Sequence, residues 1–305
     1  MMSSNEIFIT SALRTAIGSL GKSLKNTESV ELGSSVIKAN INKSNLKPEE
    51  IDEVIIGQVL TGGLGQNPAR QASIKSGIPK EKPAFVVNQV CGSGIRSVAS
   101  GFQSIKSEDS KIVVAGGQEN MSLAPHSIHI RDGKKLGDAK LVDTMIYDGL
   151  WDAFNGYHMG ITAENVAEKF QVTRGEQDKF AFKSQEKAIK AQKNKKFENE
   201  IIDFKIKLKK AEISFKIDEH PREGINFEAL SRLKPVFKKD GTVTAGNASG
   251  INDGAAAVTL MSSKEAERRG LQKLVSIKSW ASCGVDPALM GTGPIPSSKK
   301  ALDLA

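Results

Sequence analysis

Val86-Val87-Asn88-Gln89-Val90-Cys91-Gly92-Ser93-Gly94-Ile95-Arg96-Ser97-Val98-Ala99-Ser100-Gly101 is an apolar, β-branched run that meets a cysteine and then a segment of Gly, Ser and Ala at helical spacing. The reading is a buried strand feeding directly into a helix whose small side chains permit close burial. Cys91 falls at the junction. Unpaired backbone N–H groups and the positive end of the helix dipole favour an anion there, as a thiolate nucleophile requires. Spacing alone leaves a second reading open, because free cysteine is also a common small core residue.

Outward from this stretch, the first 120 residues alternate strand-like and helix-like segments. Residues 7–10, 53–59, 85–90 and 111–115 are Ile- and Val-rich runs bounded by Gly, Pro or Asn. Helices are expected at 27–40, with Leu32, Val36 and Ala39 on one face, at 48–50, at 67–76 and at 92–106. The pattern is that of an α/β layered domain. From about Met121 to Gly246 the chain turns loop-rich and polar, with one strong helix opening at Thr173-Arg174-Gly175-Glu176, a capping box, and running to about Lys195. Strand 255–261, helix 263–269 and strand 274–281 then restore the α/β texture. Residues 274–284 read like 7–18, a hint of two matched halves.

With 305 residues, 39% hydrophobic and 26% charged, the chain has the composition of a globular protein with room for a sizeable core. No apolar run approaches the roughly 20 residues that span a bilayer. The N-terminal residues lack the marks of a signal or transit segment, so a cytoplasmic location and no membrane partner are expected. Two cysteines, Cys91 and Cys283, form neither a disulfide framework nor a metal-like pair, and no metal site is expected. The net charge of +8 does not point to nucleic acid, because the basic residues are dispersed and few aromatic residues accompany them. The richest basic stretch, 183–216, is interleaved with acids and reads as a solvated face.

Further motifs accompany the cysteine in order: Gly57-Gln58-Val59, Gly65-Gln66-Asn67-Pro68-Ala69-Arg70, Gly116-Gly117-Gln118-Glu119-Asn120-Met121-Ser122, Gly156-Tyr157-His158-Met159-Gly160-Ile161-Thr162-Ala163-Glu164-Asn165, Gly241-Thr242-Val243-Thr244-Ala245-Gly246-Asn247-Ala248-Ser249-Gly250 and Met290-Gly291-Thr292-Gly293-Pro294. With Asn88-Gln89-Val90-Cys91-Gly92-Ser93-Gly94, they resemble the thiolase family along essentially the whole chain. The resemblance implies an α/β, layered αβαβα fold with an inserted loop domain. The N-terminal half would be residues 1–120 plus 250–270, the loop domain 121–249, and residues 271–305 the start of a C-terminal half that is largely missing. Cys91 would be the catalytic nucleophile. Coenzyme A would lie against Leu150, His158, Met159, Arg222, Ala245, Ser249 and Met290. Arg222 suits phosphate or stacking on adenine. Ala229 departs from an expected serine near the adenine end, at a cost of about one hydrogen bond. Residues 126–143 resemble a loop that joins dimers into tetramers, so a homo-oligomer is implied.

The tyrosine, histidine and methionine at 157–159 and Met290 are similar to the short-chain branch, acetyl-CoA C-acetyltransferase in activity. That activity condenses two acetyl-CoA to acetoacetyl-CoA and coenzyme A, or reverses this by thiolysis, with the thioesters as substrates and no cofactor. The family's Asn-Glu-Ala-Phe, Gly-His-Pro and Cys-x-Gly-Gly-Gly motifs do not occur here. Cys283 does not match the last of them, and the four histidines, 126, 129, 158 and 220, do not match the base of the second. The chain alone is therefore expected not to turn over, and a separate C-terminal polypeptide is one way to complete it. A ketoacyl-synthase-like enzyme and a non-catalytic acyl-CoA binder are the alternatives.

Overall fold

The computed structural model describes residues 6–207 and 211–305. The reading of the first five residues and the centre of the basic stretch at 208–210 lie outside these. By internal contacts the chain divides into two compact units. One comprises Met1–Met145, Glu198–Asp218 and Ile251–Lys278, the other Ile146–Phe197, Glu219–Gly250 and Ser279–Ala305. Residues 198–218, read in the sequence as part of the inserted segment, thus group with the first unit.

The first unit is built on a mixed sheet. Its principal strands are β1 (Ile7–Arg14), β2 (Glu53–Gly57), β3 (Ala84–Val87), β4 (Ile112–Asn120) and β5 (Asn252–Ser262). Their order is β1-β5-β4-β2-β3, with Val275–Ser276 outside β1. β5 pairs antiparallel with both β1 and β4, while β2 is parallel to β4 and β3. The strand expected over 274–281 is only Val275 and Ser276. They pair with Ile9 and Phe8, and the Ile277 N–H bonds the Ile7 carbonyl at 2.9 Å, where β1 begins.

Three helices cover the sheet: α1 (Ser29–Lys43), α2 (Pro68–Lys75) and α3 (Ser93–Lys106). Strand side chains alternate between faces. Val54, Ile56, Ile112, Val114, Ala257 and Met261 therefore join one core with Leu32, Val36, Ile37 and Ile41 of α1 and Ala69 and Ala72 of α2. Ile55, Val113, Ala115 and Leu260 join a second with Ile105, Val98 and Phe102 of α3. This near-continuous apolar reading of β2 and β4 is the signature of strands buried on both faces. Phe204–Lys207 and Glu212–Phe215 form a hairpin in the same unit, and Phe204 and Phe215 enter the first core. Arg14 ties the surrounding chain down, bonding the Glu200 carboxylate at 2.7 Å and Asp218 in a bidentate pair at 2.7 and 3.0 Å.

The second unit holds α4 (Met159–Phe170) and α5 (Arg174–Lys193). The capping box read at 173–176 forms: the Glu176 N–H reaches the Thr173 hydroxyl at 3.3 Å, and the Thr173 N–H reaches the Glu176 carboxylate at 2.8 Å. A 3₁₀ segment, Pro287–Thr292, packs on α4, where Asn165 donates to the Ala288 carbonyl at 3.1 Å. Among the described residues no helix is long and apolar enough to cross a membrane.

Candidate active site

Strand β3 ends at Val87, two residues before a hydrogen-bonded turn. The Gly92 N–H bonds the Gln89 carbonyl at 3.1 Å, so Val90 and Cys91 are the central residues of the turn. Val90 has φ +48°, a left-handed conformation that is an outlier for a β-branched residue. Helix α3 begins directly after the turn, and Cys91 is exposed and free. Among the described residues Cys91 is therefore not part of a core. Strand 85–90 of the sequence reading is cut short by this turn, which the periodicity of Val86, Val87 and Val90 conceals.

The turn is pinned by side chains on both sides. Asn88 Oδ1 accepts the Val90 N–H at 2.9 Å. Ser93 Oγ, on a residue only 3% exposed, accepts the Gln89 N–H at 2.8 Å and donates to the Val90 carbonyl at 2.6 Å. One turn on, the Ser97 hydroxyl lies 2.6 Å from the Gly116 carbonyl and fastens α3 to β4.

Gly57 sets how closely the helix meets the sheet. A Cβ there would lie 2.3 Å from the Ser93 carbonyl carbon, 2.5 Å from its oxygen and 2.6 Å from the Gly94 nitrogen, all backbone atoms. Only glycine permits this approach. Beyond Gly57, Glu119 organises the chain: its carboxylate accepts the N–H groups of Val59 at 2.8 Å and Leu60 at 3.2 Å. Burial pushes the Glu119 carboxyl above its ordinary range, against the lowering effect of those bonds.

The residues expected to contact coenzyme A all belong to the second unit, whereas Cys91 belongs to the first. Leu150, His158 and Met159 come together: Trp151 pairs with His158 in a short hairpin, and the Met159 N–H bonds the Leu150 carbonyl at 2.8 Å. His158 caps α4, its Nδ1 accepting the Gly160 N–H at 3.0 Å, which requires the neutral imidazole. Its ring stacks on Phe237 with centroids 4.6 Å apart and planes at 19°. Burial holds its pKa below the usual histidine value. Met290, 40% exposed, lies on the 3₁₀ segment packed against α4. Arg222 is exposed, and its backbone N–H bonds Gln185 of α5 at 2.9 Å. Ala229 stands in a short helix capped by Asn226, whose side chain accepts the Ala229 N–H at 2.8 Å.

Ala245 and Ser249 lie exposed on a loop that two buried carboxylates hold from behind. Glu164 accepts the Thr242 N–H and hydroxyl at 2.8 Å each and the Val243 N–H at 2.7 Å. Asp178, 1% exposed and ion-paired to Arg174 at 2.7 Å, accepts from Asn247 at 2.9 Å. Sequence reasoning missed Phe237 and Asp178, and held Glu164 only as a member of the motif at 156–165, without a role. A carboxylate in the middle of an amphipathic helix looks like any solvated position until its burial is known.

Comparison with known proteins agrees with this geometry. The family described as thiolase, N-terminal domain, matches residues 7–264. An acetyl-CoA acetyltransferase of Rhizobium meliloti is 56% identical over 304 residues, covering 100% of this chain and 77% of its own. A mouse protein named acetyl-CoA acetyltransferase, cytosolic, is 52% identical over 301 residues, covering 98% and 76%. The crystal structure of the Bacillus anthracis acetyl-CoA acetyltransferase superposes with a TM-score of 0.95 at 40% identity, covering 98% of this chain and 76% of that one. A shared fold, matched over nearly all of this chain at such identity, leaves one assignment: the chain belongs to the thiolase family.

Proposed function

We propose that this chain carries the nucleophile and the coenzyme A surface of an acetyl-CoA C-acetyltransferase, with Cys91 as the residue acylated. The observation that carries the reading is the exposed Cys91 thiol on a strained, doubly pinned turn at the start of α3. The Cys91 thiolate attacks the acetyl carbonyl of acetyl-CoA, the C–S bond to coenzyme A breaks, and the acetyl group stays on Cys91. A second acetyl-CoA gives up a methyl proton to a base. Its carbanion attacks acetyl-Cys91, and acetoacetyl-CoA leaves with the cysteine thiolate restored. Thiolysis runs the same steps backwards.

Leu150, His158, Met159, Arg222, Ala245, Ser249 and Met290 form the coenzyme A surface in this reading. The thioesters are substrates, and no resident cofactor or metal takes part. Turnover calls for the base and second cysteine of motifs that do not occur among these 305 residues, whether a separate polypeptide or a longer chain supplies them. A cytoplasmic location belongs to the same reading, and support for a homo-oligomer comes from the exposed loop above the pair His126–Ser127 and Val142–Asp143, where Leu136 is 92% and Leu141 63% exposed.

Intact-mass spectrometry after exposure to acetyl-CoA tests the assignment. One acetyl group is expected on the parent chain and none on Cys91→Ala. An adduct that persists in Cys91→Ala would remove Cys91 from the role, whereas its absence from a folded parent would mean that acylation needs the base of the missing motifs.

A further inference from the structure

We infer that Ser93 is a positioning residue for the nucleophile: its hydroxyl holds Val90 in the left-handed conformation and so sets the direction of the Cys91 side chain. The inference rests on the reading of Cys91 as the acylated residue. Ser93 bonds the backbone of the turn with its hydroxyl and acts through that backbone. It lies two residues beyond Cys91 and is almost fully buried, while its Oγ reaches back over the cysteine to both groups that flank the strained residue. It accepts the Gln89 N–H at 2.8 Å and donates to the Val90 carbonyl at 2.6 Å, and that carbonyl also receives the Ser93 N–H at 3.0 Å.

Val90 carries φ +48°, at a turn position that glycine, asparagine or aspartate normally fills. A β-branched residue persists in such a conformation only when its surroundings over-determine it, and strain of this kind gathers where side chains must be aimed. Asn88 fixes the N–H of Val90, but that contact is local to the strand side. Ser93 is the group that joins the turn to α3, whose first turn is seated on Gly57. Without the hydroxyl, Val90 relaxes toward negative φ and the peptide leading into Cys91 rotates.

The test compares Ser93→Ala, Ser93→Thr, and Ser93→Ala combined with Val90→Gly. Quenched-flow mass spectrometry gives the acetylation rate of Cys91 against acetyl-CoA concentration. Ser93→Ala should lose about tenfold in the saturating rate, the worth of roughly one hydrogen bond, with the half-saturating concentration unchanged. Ser93→Thr should retain the parent rate. The added Val90→Gly should restore most of it, because glycine takes positive φ without cost. A merely structural role for Ser93 would not be repaired by releasing strain at position 90.

Hydrogen exchange supplies a readout independent of acylation. The amide at position 90, which Ser93 does not touch, should lose protection in Ser93→Ala and regain it in the double variant. Parent-like acylation in a folded Ser93→Ala, or unchanged protection of that amide, overturns the inference. Failure of the parent to acetylate would mean that acylation needs the base of the missing motifs, and the exchange data then decide the role of Ser93 in the turn.

Discussion

Replacing Gly57 with alanine joins the packing of the sheet to the placement of the nucleophile. The added Cβ would stand 2.3 Å from the Ser93 carbonyl carbon, against the 3.4 Å or more of an ordinary contact. Strand and helix must therefore separate by about 1 Å, and no side-chain rotation relieves the clash because every atom met is backbone. Overpacking of this kind costs about 1–3 kcal/mol, offset in part by the roughly 0.5–1 kcal/mol that alanine saves over glycine in a strand. A net loss of about 1 kcal/mol corresponds to a fall in melting temperature of about 2–4 °C for a unit of this size. The functional loss should be larger, since a 1 Å misplacement of a reacting group can cost about a hundredfold. Gly94→Ala is the matched control: a Cβ there meets nothing within 4 Å, and helix propensity predicts stabilisation by up to about 1 kcal/mol. Thermal melts followed by circular dichroism, with the Cys91 acetylation rate alongside, measure both effects. Parent-like melting and acetylation in Gly57→Ala would refute the seating of α3 on β2.

The second unit should weaken on mild acidification. The His158 pKa lies below the ordinary 6.5 because of burial, so the unfolded chain binds the proton first and stability is lost as pH falls through 6.5 toward the depressed value. Urea midpoints between pH 7.5 and 5 should show this slope, and His158→Asn, which can still cap α4 without titrating, should flatten it. Glu164→Gln replaces one oxygen facing the donors of Thr242 and Val243 with an amide N–H. A loss of about 2–3 kcal/mol is expected, read as a lower urea midpoint with weakened coenzyme A binding by calorimetry. Unchanged values for both would mean that the 241–249 loop does not depend on this carboxylate.

The sequence by itself determined most of the first unit. The Ile- and Val-rich runs at 53–59 and 111–115, alternating with helical segments, were enough for an α/β layered domain, and the structure shows those strands buried on both faces. The junction of strand, cysteine and small-residue helix placed Cys91, and Thr173 with Glu176 fixed the start of α5, because capping is local chemistry. The tertiary structure alone decided what depends on close approach. Val90 looked like one more strand residue until its φ showed the turn. Ser93 looked like a small helix former until its burial and two bonds were seen, and nothing in the sequence assigned Glu164 or Asp178 its role behind the 241–249 loop. The strand expected over 274–281 is two residues in the structure, because strand length follows from pairing with another segment and not from the apolar pattern alone. Periodicity records which residues avoid water, whereas the direction of a thiol depends on distances of a few tenths of an ångström between segments far apart in the chain.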